Sequence, residues 1–174
     1  IPTARPLVDG DLLSLDLGVI VDGWYGDAAL SVAIGEVSAE KKKLMKVTRD
    51  SLMAGIRKAE PGATIGDVAR AIQTHVEGNG FSLVREFVGH GIGRSLHEAP
   101  QVANYVDTDS PWIHTRLREG MTIAIEPMVC AGTSAIRILP DGWTVVTKDG
   151  RPSAHWEHTI AITADGPVIL SEAA

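Results

Sequence analysis

Residues 12 to 21, LLSLDLGVIV, are apolar almost throughout, the pattern of a strand covered on both faces. Asp22-Gly23 follows as a two-residue hairpin signal, and residues 24 to 34 return as a second strand. A two-residue turn sets Asp27 opposite Gly18 and puts Asp16 one diagonal step away on the same face, with the glycine leaving room between the two acids. Beyond the hairpin the period changes from two to helical. Ser38 is placed to cap a helix running to about Ala59, with Leu44, Val47, Leu52 and Ile56 on its buried side and Pro61-Gly62 as its stop. Thr64 with Asp67 resembles a capping box for a second helix, in which Ile65, Val68, Ala69, Ile72 and Val76 recur at helical spacing until Gly78-Asn79-Gly80.

The remainder reads as strands separated by loops. FSLVREFV, 81 to 88, predicts a strand that delivers His90 at its end, inside GHGIG. Residues 99 to 120 read as a loop, MTIAIEPMV, 121 to 129, as a strand with Pro127 marking a bulge or edge, and DGWTVVTKDG, 141 to 150, as turn, strand and turn. HWEHTIAIT, 155 to 163, is the last strand. A hairpin, two helices and then several strands predict an α+β layer arrangement with a curved antiparallel sheet, and 174 residues suit one domain.

Composition narrows the function class. A net charge of -6, with KKK at 41 to 43 as the one basic run, argues against a nucleic-acid or anionic-membrane binder, and those lysines read as a solvated helix face. No window has the length of a membrane span, and no signal segment opens the chain. Cys130 is the single cysteine, so no intrachain disulfide forms and a reducing, cytoplasmic setting is expected; within MVCAG it reads as a buried small residue. IPTARPLVDG reads as a connecting segment of a chain whose beginning lies elsewhere. His75 is expected to be partly exposed on the second helix, and His114 and His155 to lie on the surface.

Four acids stand in apolar strand-like runs: Asp16 in SLDLG, Asp27 in YGDAA, Glu126 in IAIEPMV and Glu157 in HWEHTIAI. Each would cost several kcal/mol to bury without a partner. No run of basic residues accompanies them, whereas two divalent cations would cancel their charge. GHGIGRSLHEAP adds His90 and His97 in a glycine-rich turn. Four carboxylates and the imidazole of His90 suit a pair of divalent first-row ions, which is equipment for hydrolysis near neutral pH. A thiolate-rich zinc site, a G-x-S-x-G serine hydrolase and a phosphate-binding loop lack their residues here.

FVGHGIGRSLHEAPQV, MTIAIEPMVCAG, DGWTVVTKDG and SAHWEHTIAIT, with SLDLGVIVDGWYGDA upstream, resemble in order and spacing the type I methionine aminopeptidases of the pita-bread (creatinase/aminopeptidase-like) metallopeptidase superfamily. The resemblance covers essentially the whole chain. It implies that residues 1–174 are an incomplete catalytic domain that removes the initiator methionine from nascent polypeptides, in the cytoplasm, at the ribosome and as a monomer. Implied metal ligands are Asp16 on one ion, Asp27 and Glu157 bridging both, and His90 and Glu126 completing the coordination of the second ion; cobalt, manganese, iron(II) and zinc all suit them. A hydroxide bridging the ions would attack the scissile carbonyl with Glu126 accepting the proton, and His97 would bind substrate and stabilise developing charge. Trp143 matches a position bordering the substrate pocket, although a lone tryptophan is more often core. Leu96, in that pocket, stands where relatives often carry phenylalanine, and Tyr25 where histidine is common. His158 is expected to point away from the ions by strand alternation. Relatives carry a further N-terminal block and a histidine two residues before the isoleucine matched by Ile1. Its absence predicts exposed apolar sheet surface and low stability, and leaves methionine selectivity unreadable. A prolidase-like peptidase and a truncated, non-catalytic metal-binding or interaction domain are the alternatives.

Overall fold

The computed structural model describes residues 4–172; Ile1, and the comparison made through it, lies outside them. Strands β1 (Leu12–Val21) and β2 (Trp24–Ala33) form the expected hairpin, with Gly18 opposite Asp27 and Asp16 opposite Ala29. Helix α1 (Ala39–Ile56) starts at the Ser38 cap but stops at Arg57, short of Ala59. Helix α2 (Ile65–Gly78) carries the full capping box, with the Thr64 side chain accepting from the Asp67 N–H and Asp67 accepting from the Thr64 N–H.

The later chain is more broken than its pattern predicts. Of the strand expected over 81–88 only β3 (Ser82–Leu83) forms, and His90 is instead central in a separate short strand of another sheet, β4 (Gly89–Gly91). Glu98–Val102, expected as loop, is strand β5, paired with β4 across a register shift. The 121–129 run divides at Glu126-Pro127 into β6 (Thr122–Ile125) and β7 (Met128–Cys130). The 155–163 run divides at Trp156 into β10 (Ser153–His155) and β11 (Glu157–Thr163). Strands β8 (Ile136–Ile138), β9 (Val145–Thr147) and β12 (Gly166–Ile169) complete the set.

The largest sheet runs β1-β2-β11-β6-β4-β5, with β12 also paired to β11; a second runs β10-β7-β3, and β8-β9 form a ribbon. All pairings are antiparallel. Both strand breaks are thus places where the chain leaves one sheet for the other, and Glu126 and Glu157 stand at those corners. Pro127, which lacks an N–H, ends the first ladder.

Alternation along β6 and β11 sorts the two faces of the sheet. Ile123, Ile125, Ile160 and Ile162 are buried together with Leu44, Val47, Leu52 and Ile56 of α1 and Ile65, Val68, Ile72 and Val76 of α2 in one core. The intervening residues Ala124, Thr159 and Glu157 face the other way, away from the helices. Cys130 is buried and its thiol is pushed up to about 11, mainly by desolvation, so it is inert.

Strand β1 departs from its expected double covering. It forms an edge of the sheet, and Leu17, Ile20 and Val21 are 63%, 58% and 66% exposed. Their apolar pattern has no covering element among the described residues, so the expected exposed apolar surface is present.

Candidate metal centre

Two rows of residues across the sheet build the site, directly opposed except at Asp27 and Thr159, which the Thr159 hydroxyl joins. One row is Asp16, Ala29 and Glu157 across β1, β2 and β11. The other, two residues further along, holds Gly18 and Asp27 on the hairpin, then Thr159, Ala124 and His90 across β11, β6 and β4. Side chains two residues apart share a face, so the three acids and His90 project together. Glu126, two residues after Ala124, joins them from the β6 corner. Glycine and alanine between the acids keep the space open.

The β4 backbone must come very close to its neighbours to put His90 there. A Cβ at Gly89 would lie 2.3 Å from the Ala124 carbonyl oxygen, and one at Gly91 would lie 2.4 Å from that of Ala99. Glycine at these positions is therefore a packing requirement.

Asp27, His90 and Glu157 are buried, and each offers a ligand atom within 4.8 Å of the others. His90 Nδ1 lies 2.9 Å from the Gly91 carbonyl, which can only accept, so Nδ1 carries the proton and Nε2 presents its lone pair. That lone pair faces Asp27 Oδ2 at 3.9 Å and Glu126 Oε1 at 3.6 Å. Asp27 Oδ1 and Glu157 Oε1 are buried with no hydrogen-bond partner among the described residues. Three acceptors converging without a donor need a proton or a cation.

The electrostatics agree. Desolvation first, and the neighbouring acids second, push Glu157 up to about 9 and Glu126 up to about 8. Asp27 is raised by burial and then by the charge of Asp16, while burial lowers His90. Without an ion, the two glutamates hold protons at neutral pH; a divalent cation replaces them and satisfies the orphaned oxygens. Donor set and geometry therefore fit a metal. Asp16 is exposed and outside the tight trio, but its charge acts on Asp27, Glu126 and Glu157.

The remaining predicted residues lie around this centre. His97 is exposed at its mouth, its ring centroid 4.2 Å from that of His90. Leu96 leans into the space above Gly18, with Cδ1 3.4 Å from where a Cβ would stand. Trp143 is neither core nor buried: it is 66% exposed between β8 and β9, its backbone N–H donating to the Asp141 carboxylate. His158 points away as expected, with Nδ1 2.9 Å from the Ser171 hydroxyl. His75 is half-buried and His114 exposed.

His155 corrects the surface expectation. Its Nε2 is buried, lacks a hydrogen-bond partner among the described residues and lies 3.7 Å from Glu126 Oε2, and burial lowers its pKa. The missed signal was its spacing of two from Glu157. Thr159 was also overlooked. Its hydroxyl accepts from the Asp27 N–H at 2.9 Å and donates to the Asp27 carbonyl at 2.8 Å, bridging the point where β2 parts from β11. Thr159→Val keeps the shape and removes both bonds. It is expected to lower stability by about 1–3 kcal/mol and to weaken metal binding, as read by urea unfolding and Mn²⁺ calorimetry.

Comparison with known proteins places this geometry. The sequence pattern of metallopeptidase family M24 matches residues 1–164. Methionine aminopeptidase 1 of Bacillus subtilis is 48% identical over 171 residues, covering 98% of this chain and 68% of its own length. The chain belongs to the type I methionine aminopeptidases of family M24. The Rickettsia prowazekii methionine aminopeptidase crystal structure superimposes with a TM-score of 0.94 at 42% identity, over 99% of this chain and 68% of that one. The methionine aminopeptidase of Escherichia coli is 45% identical, over 97% of this chain and 62% of its own. The chain thus spans about two thirds of the length of these relatives. A prolidase from Pyrococcus horikoshii, TM-score 0.75 at 23% identity over 99% of this chain and 43% of that one, shares the fold alone. The curved antiparallel sheet backed by two helices is the pita-bread fold. Family membership and the Asp27, His90 and Glu157 cluster together support metal-dependent methionine aminopeptidase activity.

Proposed function

We propose that the protein hydrolyses the N-terminal methionine of nascent polypeptides at a centre of two divalent ions. The observation that carries this reading is the buried trio Asp27, His90 and Glu157 with its orphaned carboxylate oxygens. Bound ions would lower the pKa of a water and polarise the scissile carbonyl. Asp27 and Glu157, the two acids of the buried trio, would be shared between the ions. Asp16 lies on one flank, and His90 with Glu126 on the other. Glu126 is the residue suited to move a proton, because its carboxylate stands at the edge of the centre, 3.6 Å from His90 Nε2. His97, exposed beside His90, would meet the substrate and donate a hydrogen bond to the developing negative charge. Leu96 would border the methionine side chain from above Gly18, and Trp143 would close over the substrate from the β8-β9 ribbon.

Cobalt, manganese, iron(II) and zinc all suit four carboxylates and one imidazole, and supply decides among them. The single cysteine supports a reducing, cytoplasmic setting. A monomer meeting polypeptides as they leave the ribosome belongs to the same proposal. No helix among the described residues is long and apolar enough to cross a membrane.

The test is cleavage of Met-Ala-Ser followed by mass spectrometry, with and without Mn²⁺, for residues 1–174 and for a form extended to the relatives' full length. Release of methionine only with metal supports the proposal. Metal binding with no cleavage in either form would instead favour a non-catalytic metal-binding domain. A form that cleaves but does not prefer methionine would remove the initiator assignment.

A further inference from the structure

We infer that Arg94 is a positioning residue for this centre, clasping the turn of the β1-β2 hairpin onto the loop that carries His97; the inference rests on the peptidase reading above. Asp22 and Gly23 both have left-handed backbones, φ 50° and 78°, the tight turn whose twist suits a two-residue hairpin. Arg94 Nη1 donates to both of their carbonyls, at 3.3 Å each. Its guanidinium also lies 3.8 Å from the centroid of the Trp24 ring, and the Tyr25 N–H donates to the Gly93 carbonyl at 2.9 Å. A Cβ at Gly23 would stand 3.1 Å from Nη1, so the turn leaves the guanidinium little spare room.

The clasp acts where the hairpin has little other support. Strand β2 pairs with β11 only at Ala28 and Ala29, the Thr159 hydroxyl holds Asp27, and β1 is an edge strand. Between Asp27 and the turn, the hydrogen bonds joining the hairpin to the rest of the described residues are those to Gly93 and from Arg94. Arg94 therefore links the hairpin bearing Asp16 and Asp27 to the segment bearing His90 and His97. It fixes the spacing between the two sides of the metal centre. An arginine suits this role because its planar, permanently charged fork can bond to carbonyls while stacking on an indole face; a lysine offers a point charge without the plane.

The test compares the natural protein with Arg94→Met, which keeps an apolar stem, and Arg94→Lys. Three readouts are taken: amide exchange at Tyr25 in the metal-free protein, the visible spectrum and affinity of bound Co²⁺, and kcat with KM on Met-Ala-Ser. For Arg94→Met, Tyr25 should exchange about tenfold faster while core amides keep their protection. The cobalt spectrum should change, and kcat should fall about tenfold with KM held within about twofold. Arg94→Lys should fall between the two. Parental exchange, spectrum and kcat in Arg94→Met would overturn the clasp. So would a loss of kcat accompanied by loss of protection throughout the fold, which would make the role merely structural. If the natural protein binds cobalt but cleaves nothing, the peptidase reading fails, and Tyr25 exchange with the cobalt spectrum still decides the clasp.

Discussion

Glu157→Gln is expected to abolish metal binding and peptide cleavage together, while making the metal-free protein more stable at pH 8. Two properties move in opposite directions because the same burial underlies both. Glu157 is 2% exposed, one carboxylate oxygen has no hydrogen-bond partner among the described residues, and its surroundings push it up to about 9. At pH 8 the metal-free fold therefore holds a proton that the unfolded chain would release, which lowers stability. A glutamine is neutral in both states and removes that penalty, on the order of 2–4 kcal/mol at pH 8 and much less at pH 5. It also removes the anionic oxygen an ion requires. Asp27→Ala should abolish binding and cleavage equally. Calorimetry with Mn²⁺ and urea unfolding at the two pH values check this; activity that survived a substitution would remove the substituted residue from the shared position.

The second large effect is a reversal of the pH dependence of stability by metal. Glu126 and Glu157 have folded-state pKa values raised from 4.5 to about 8 and about 9. Their favourable contribution is fully present below about 4.5 and is lost as pH rises toward those values, since the folded state then binds more protons than the unfolded state. Metal-free protein should lose on the order of 1 kcal/mol or more per pH unit between pH 5 and 8. Saturating Mn²⁺ should abolish or invert that slope, because binding requires the deprotonated carboxylates and affinity rises with pH. The same linkage predicts that metal binding at pH 7 expels about two protons per chain. Calorimetry in buffers of different ionisation enthalpy counts them. A metal-free protein whose stability rises steadily across that window would show that the glutamates are not buried as acids.

Much of this site is visible in the residues because its requirements are local. An acid in an apolar strand needs a partner, and the hairpin turn sets which acids share a face; Asp27 duly stands opposite Gly18 and Asp16 diagonal to it. The helices were legible from caps and period. The strand breaks were not. IAIEPMV and HWEHTIAI each read as one run, because hydrophobicity continues when a chain passes from one sheet to another, and only Pro127 hinted at the corner. The apolar run of β1 misled in a different way: its pattern asks for cover on both faces, yet Leu17, Ile20 and Val21 are exposed. His155 was missed for the opposite reason, since a histidine at the start of the predicted run carries no periodic signal beyond its spacing from Glu157, and in the fold it ends β10. The clasp of Arg94 on Trp24 and the turn carbonyls joins residues about 70 positions apart, and nothing in either segment alone announces it.

The central claim is that Asp16, Asp27, His90, Glu126 and Glu157 hold two ions. Anomalous scattering from crystals of the natural protein grown with Mn²⁺ tests this directly. Two peaks are predicted on the sheet face opposite α1 and α2, with Asp27 and Glu157 touching both, Asp16 touching one, and His90 with Glu126 touching the other. Peaks elsewhere, or none between Asp27, His90 and Glu157 at saturating metal, would contradict it.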